Sequence, residues 1–185
     1  MQSQNNEDAL YIKEFLGGSQ TGFEALVRKY QDKVLNIVYS LAGRDVEIED
    51  IVQEVFLKVY YKIGFFRGES RFSTWLYRVT VNTTYDFLRK RKARPAEDHF
   101  FEPASSSEGP RELLLGKEKE EAIKKALENV PFKFRAAVVL KDLEDLSYAE
   151  ISEALHCSIG TVESRIYRGR QFLKKELFKL GVVQG

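Results

Sequence analysis

Two groups of side chains have the types and spacing to do chemistry, and both suit nucleic acid. In the first, Thr161, Glu163, Ser164, Tyr167, Arg168 and Gln171 share one side of a helical repeat whose other side is Ile159, Val162, Ile166, Gly169 and Leu173. Short polar side chains and arginines on a helix reach base edges in the major groove of duplex DNA. Arg165, Arg168, Arg170, Lys174 and Lys175, on or beside that face, suit phosphates. Glu163 repels phosphate and fits such a face if it accepts a hydrogen bond from a cytosine amino group. In the second group, the loop Gly64–Arg71 carries adjacent Phe65 and Phe66. The stretch after it holds Phe72, Trp75, Arg78, Asn82 and Tyr85 and ends in Arg89-Lys90-Arg91-Lys92. Aromatic rings stack on unpaired bases and cations follow the backbone, the combination that binds single strands. Each group also has a plain structural reading: a charged outer face of a bundle helix for the first, and for the second core positions for Trp75 and Leu76 with a basic run complementing a helix C-terminus.

The elements that must position these groups are helical. Ser147 and Glu150 form an S-x-x-E capping box ahead of Ala149, Ile151, Ala154 and Leu155. His156-Cys157-Ser158 interrupts the pattern, and Ser158 suits the N-cap of the second helix. A short helix, a three-residue turn and a longer helix with a polar, basic outer face make a helix-turn-helix over Leu146–Leu173. Upstream, apolar spacing predicts helices over Asp8–Leu16, Ser19–Leu41, Asp45 (as cap) to about Ile63, and Phe72 to about Arg91. Pro95–Pro110 holds three of the four prolines and a Ser-Ser-Ser run, the composition of a linker. Two more helices, Leu113–Val130 and Phe132–Leu143, are separated at Pro131. The expected fold class is all-α: two small helical domains, residues 1–94 and 112–185, joined by a flexible linker at 95–111 that lets them reorient.

Composition narrows the function. The 185 residues are 43% hydrophobic, enough for one sizeable core or two small ones. A formal net charge of +1 conceals separation. Seven basic residues between Arg71 and Arg94 face Asp86 alone, while Asp45, Glu47, Glu49, Asp50 and Glu54 face Arg44 alone. One cationic and one anionic patch fit two partners of opposite character, or a solvated helix surface. The helix dipole accounts for the acidic first turn but not for its continuation through Gln53 and Glu54. Cys157 is the single cysteine, which excludes an intramolecular disulfide, and neither His99 nor His156 has a ligand constellation. No apolar run approaches the ~20 residues that span a bilayer, so no membrane insertion is expected. The polar start MQSQNNED is unlike a signal peptide, and a cytoplasmic protein is expected. With no phosphate loop, metal spacing or nucleophile–base arrangement, the sequence predicts neither an enzyme nor a cofactor.

Three segments, DIVQEVFLKVY (50–60), FRGESRFSTWLYRVTVNTTYDFLRKRK (66–92) and LSYAEISEALHCSIGTVESRIYRGR (146–170), resemble the extracytoplasmic-function sigma factors. These are the small two-domain initiation factors of bacterial RNA polymerase. The resemblance implies a sigma-2 domain whose helix around Asp50, Gln53, Glu54 and Phe56 docks on the clamp coiled coil of the largest polymerase subunit. It implies that the loop and helix after Phe65 melt the −10 element, with a flipped base in a pocket lined by Asn82 and neighboured by Phe66, Arg71, Phe72, Ser73 and Arg78. Trp75 and the tail Arg89, Lys90 and Arg91 complete the single-strand site. A sigma-4 domain would set Thr161, Glu163, Ser164, Arg165, Tyr167 and Arg168 over the duplex −35 element and touch the flap of the second-largest subunit. Glu163 departs from the basic residue of many relatives, which implies an altered base preference nearby. An anti-sigma factor is the family's usual regulator. Two rival readings stand beside this one: a stand-alone helix-turn-helix regulator, which leaves Phe65–Lys92 without work, and an adaptor with a degenerate DNA-binding domain.

Overall fold

The computed structural model describes residues 2–43, 46–93 and 121–183, and every regular element among them is helical. In chain order these are α1 (Gln2–Leu16), α2 (Gln20–Ala42), α3 (Ile48–Lys62), a 3-10 turn (Ile63–Phe65) and α4 (Phe72–Ala93). After them come α5 (121–128), α6 (Phe132–Asp142), α7 (Tyr148–Leu155) and α8 (Ile159–Lys179).

The apolar spacing places each helix. Leu26, Tyr30, Val34, Ile37, Val38 and Leu41 form the buried stripe of α2, and Ile51, Val55 and Val59 that of α3. α1 begins at Gln2 rather than at Asp8, and it is fastened to α2 by charge. The buried Asp8 carboxylate accepts from Tyr30 Oη and Lys29 Nζ, each at 2.7 Å, so a buried charge is fully partnered. The two helices touch at Gly22, where an added Cβ would run into the carbonyl of Tyr11 and sit 2.9 Å from the amide nitrogen of Phe15. The N-cap position of α3 is Glu47; Asp45, the expected cap, lies outside the described residues. So do the linker 95–111 and residues 113–120 of the helix expected after it.

α4 buries an unusual set: Phe72, Leu76, Tyr77 and Val81 together with Thr74, Thr80, Thr83 and Thr84. Thr80 and Thr84 return their hydroxyls to the carbonyls of Leu76 and Thr80, both at 2.9 Å, so the short polar side chains enter the interior without an unsatisfied donor. α6 is buried on nearly every side from Phe134 to Leu140, as a helix packed by neighbours all round must be. It lies against α8, α7 and α2, while α4 lies against α7. One continuous core therefore runs from Ile12 through Leu76 and Leu140 to Ile166 across both halves of the chain.

Candidate nucleic-acid interface

The helix-turn-helix is built as its capping residues dictate. Ser147 Oγ accepts from the Glu150 amide at 3.2 Å, and Glu150 Oε2 accepts from the Ser147 amide at 2.9 Å, closing the capping box. Burial pushes the Glu150 carboxyl up, but the Ser147 hydrogen bonds and the charges of Arg71 and Lys141 outweigh it and hold it below the ordinary carboxylate range. His156 ends α7 in the left-handed region, φ 52°, and Ser152 Oγ donates to the Cys157 carbonyl at 2.5 Å, bracing the turn. Ser158 then accepts from the Thr161 amide at 3.2 Å and starts α8.

α8 turns Val162, Ile166 and Gly169 inward and leaves Glu163, Ser164, Tyr167 and Arg168 exposed. Thr161 and Arg165 are half-buried at the rim; Arg165 Nη1 lies 3.6 Å from Cys157 Sγ. Two expectations change. Ile159, expected on the inner face, is 48% exposed at the first position of α8. Arg170, expected at phosphate, is instead clamped to Asp142 of α6 through Nε at 3.1 Å and Nη2 at 2.5 Å. That bidentate pair fixes the angle at which α8 leaves the domain.

Between α3 and α4 lies an open cleft of about 400 Å³ lined by Lys58, Lys62, Trp75, Arg78, Asn82 and Tyr85 among others. Trp75, Arg78, Asn82 and Asp86 reach it because they recur at three- and four-residue intervals on one side of α4. Phe66 tilts over Phe72 and Trp75 with ring centroids 5.7 and 5.6 Å apart, so the loop is anchored by one aromatic while Phe65 stands 81% exposed. Phe72 is 2% exposed and packs edge-on to Tyr30, so its ring lies in the core rather than on the open side of the cleft. Ser73 is half-buried beside it. Arg71 forms an ion pair with Glu150 at 2.8 Å, Arg89 pairs with Asp86 at 3.3 Å, and Lys90 and Arg91 are exposed in the last turns of α4. Lys58 and Lys62 are the cleft residues that sequence reading missed. They sit one helical turn apart behind Glu54, which drew attention to charge of the opposite sign. Lys58 also bonds Glu54 at 3.4 Å and Thr83 at 3.3 Å.

The outer side of α3 exposes Asp50, Gln53 and Glu54. Phe56 is turned against the core instead. The exposed stripe continues through Leu57 and Tyr61, 52% and 73% exposed, which follow Asp50, Gln53 and Glu54 at helical spacing. No group of metal-ligating side chains exists among the described residues, and no helix among them is long and apolar enough to cross a membrane.

Comparison with known proteins accounts for both halves. The model for sigma-70 region 2 matches residues 26–94, and that for sigma-70 region 4 matches residues 120–173. The chain is 36% identical over 181 residues to the RNA polymerase sigma-H factor of Pseudomonas aeruginosa, covering 92% of this chain and 94% of that one. It is 35% identical to the ECF RNA polymerase sigma factor SigW of Bacillus subtilis over 180 residues, covering 90% of this chain and 94% of the relative. With the ECF RNA polymerase sigma-E factor of Escherichia coli K12 the identity is 34% over 187 residues, covering 95% and 96%. Among solved structures, the sigma factor RpoE in complex with the anti-sigma factor NepR from Bartonella quintana superposes with a TM-score of 0.64 at 25% identity, over 84% of this chain and 96% of that one. CnrH, solved with the cytosolic domain of CnrY, shares the fold with a TM-score of 0.69 at 22% identity, over 94% and 98% of the two chains. With both family models matched and these relatives along nearly its whole length, the chain belongs to the sigma-70 family, among the extracytoplasmic-function RNA polymerase sigma factors.

Proposed function

We propose that this sigma factor divides its work among three surfaces. Residues 1–94 act as the sigma-2 domain, 95–111 as the linker and 112–185 as the sigma-4 domain. The exposed stripe Asp50, Gln53 and Glu54, extended by Leu57 and Tyr61, docks on the clamp coiled coil of the largest subunit of bacterial core RNA polymerase. The cleft under Asn82 takes a base flipped from the −10 non-template strand. Unstacking costs a few kcal/mol, offset by stacking on Trp75 or Tyr85 and by phosphate contacts from Arg78, Lys58, Lys62 and the Arg89–Arg91 tail. Glu163, Ser164, Tyr167 and Arg168 meet the −35 duplex in the major groove, with Thr161 and Arg165 at the rim, and the sigma-4 domain also touches the flap of the second-largest subunit. The protein acts by binding rather than catalysis, in the cytoplasm, and an anti-sigma factor restrains it.

The cleft is the observation that carries this reading. Two aromatics, an amide and three cations converge there, beside the single carboxylate of Asp86, on a space with room for a base, which a regulator reading duplex DNA alone does not need. The test is run-off transcription with bacterial core polymerase on a library of randomised promoters, with and without the protein. Defined start sites sharing two short elements are expected. A tight footprint by the isolated protein on a palindrome, without specific initiation by an active polymerase, would favour the stand-alone regulator.

A further inference from the structure

The two halves of the chain are held together by polar contacts that involve a proposed DNA-binding residue. Arg71 Nη1 lies 2.8 Å from Glu150 Oε1. Six residues further on, in α4, the buried Tyr77 donates from Oη to Glu144 Oε2 at 2.9 Å in a part-buried setting. Lys33 of α2 adds its charge to the same carboxylate. Burial, then the Glu144 charge, pushes the Tyr77 phenol far up, so it remains the donor. The Tyr85 ring, which also lines the cleft, meets Phe132 at 5.1 Å, and Lys124 lies over the Tyr39 ring at 4.6 Å. Beneath these contacts the core is continuous.

Size makes this arrangement consequential. Elements named −35 and −10 are about 25 base pairs apart, or about 85 Å at ~3.4 Å per pair. A compact chain of this length has a radius of gyration near ~16 Å, hence about 40 Å across. A chain closed in this way cannot engage both elements of one promoter.

We propose that Glu144 and Glu150 of the helix-turn-helix half form an intramolecular clasp on Tyr77 of α4 and on Arg71 just before it, and that the −10 single strand competes with this clasp for Arg71. Glu150 thus stands where a backbone phosphate would stand. The two acidic residues have separate tasks: Glu144 holds a part-buried hydrogen bond from a buried phenol, whereas Glu150 supplies a half-exposed charge that a phosphate can displace. Binding of either strand or clasp then weakens the other by the same factor. The competition rests on the assignment of Arg71 to the −10 site, and the test separates the two.

Glu150→Gln removes the charge and keeps the capping box, which accepts Gln at that position. Glu144→Lys removes the acceptor from Tyr77 and sets a cation beside Lys33. Neither residue belongs to a proposed DNA or polymerase surface. In the full chain, with Cys157→Ser and spin labels on cysteines placed at the exposed positions Asp32 and Lys174, the double variant should show a longer and broader distance distribution than the parent. A fluorescein-labelled pool of random single-stranded DNA 12-mers, without polymerase, should bind Glu150→Gln about 3–5-fold more tightly, the size expected of a half-exposed ion pair. Saturating 12-mer should lengthen the parent's distances. Identical distances in parent and double variant would overturn the clasp, and opening without tighter binding would overturn the competition. If Arg71→Ala in the double-variant background leaves 12-mer affinity unchanged, the assignment of Arg71 fails, and the distance result still decides the clasp.

Discussion

Replacing Gly169 by Ala tests how the recognition helix is aimed. A Cβ at this position would sit 2.5 Å from Val138 Cγ2 and 2.9 Å from the Phe134 carbonyl oxygen. Val138 can rotate, but the carbonyl is part of α6 and is already buried, so α8 must shift outward by several tenths of an ångström. Overpacking of this kind costs about 1–3 kcal/mol, while alanine in a helix interior gains up to about 1 kcal/mol over glycine. The net expectation is destabilisation of about 0–2 kcal/mol, a fall in Tm of up to about 8 °C for a chain of this size. The outward shift also strains the bidentate Arg170–Asp142 pair between the same two helices. Affinity for duplex −35 DNA should therefore fall more than stability alone explains at a temperature where both proteins are folded. Thermal unfolding and fluorescence anisotropy on a −35 duplex measure the two effects. A double-mutant cycle with Val138→Ala should recover part of the loss, because one of the two clashes is removed. If Gly169→Ala raised Tm and left duplex affinity unchanged, the argument that this glycine sets the crossing of α6 and α8 would be wrong.

Three further outcomes are expected. His156→Gly relieves a left-handed residue at the exposed end of α7 and should raise stability by about 0.5–1 kcal/mol in urea unfolding; a loss would mean that the imidazole makes a contact worth more than the strain. Asn82→Ala should alter base preference or open-complex formation at −10, scored by permanganate footprinting, with polymerase binding intact; loss of polymerase binding would refute its place in the cleft. Asp50→Lys and Glu54→Lys should weaken holoenzyme assembly about tenfold or more if the pairing across the interface is desolvated, and unchanged assembly on native gels for both would remove α3 as the docking face.

Much of the molecule was legible in residue types alone, because the information is local. The capping box at Ser147 and Glu150, the second cap at Ser158 and the inward stripe of Val162, Ile166 and Gly169 depend on neighbours within a few positions. The helix periods of α2 and α3 follow from the same short-range rule, that apolar residues three and four apart must share a face and be buried. The family resemblance was carried by such local patterns as well. What the pattern did not reveal needed contacts between residues far apart in sequence. Arg170 looks like a free cation until Asp142 is brought beside it, and Phe72 looks like a base-stacking ring until Tyr30 encloses it. Lys58 and Lys62 join the cleft only because α3 and α4 pack together. Above all, charge and periodicity predict two helical units but not their mutual arrangement. The tertiary structure alone brought Glu144 to Tyr77 and Glu150 to Arg71, since burial and pairing across 67 and 79 residues of chain leave no trace in helical spacing.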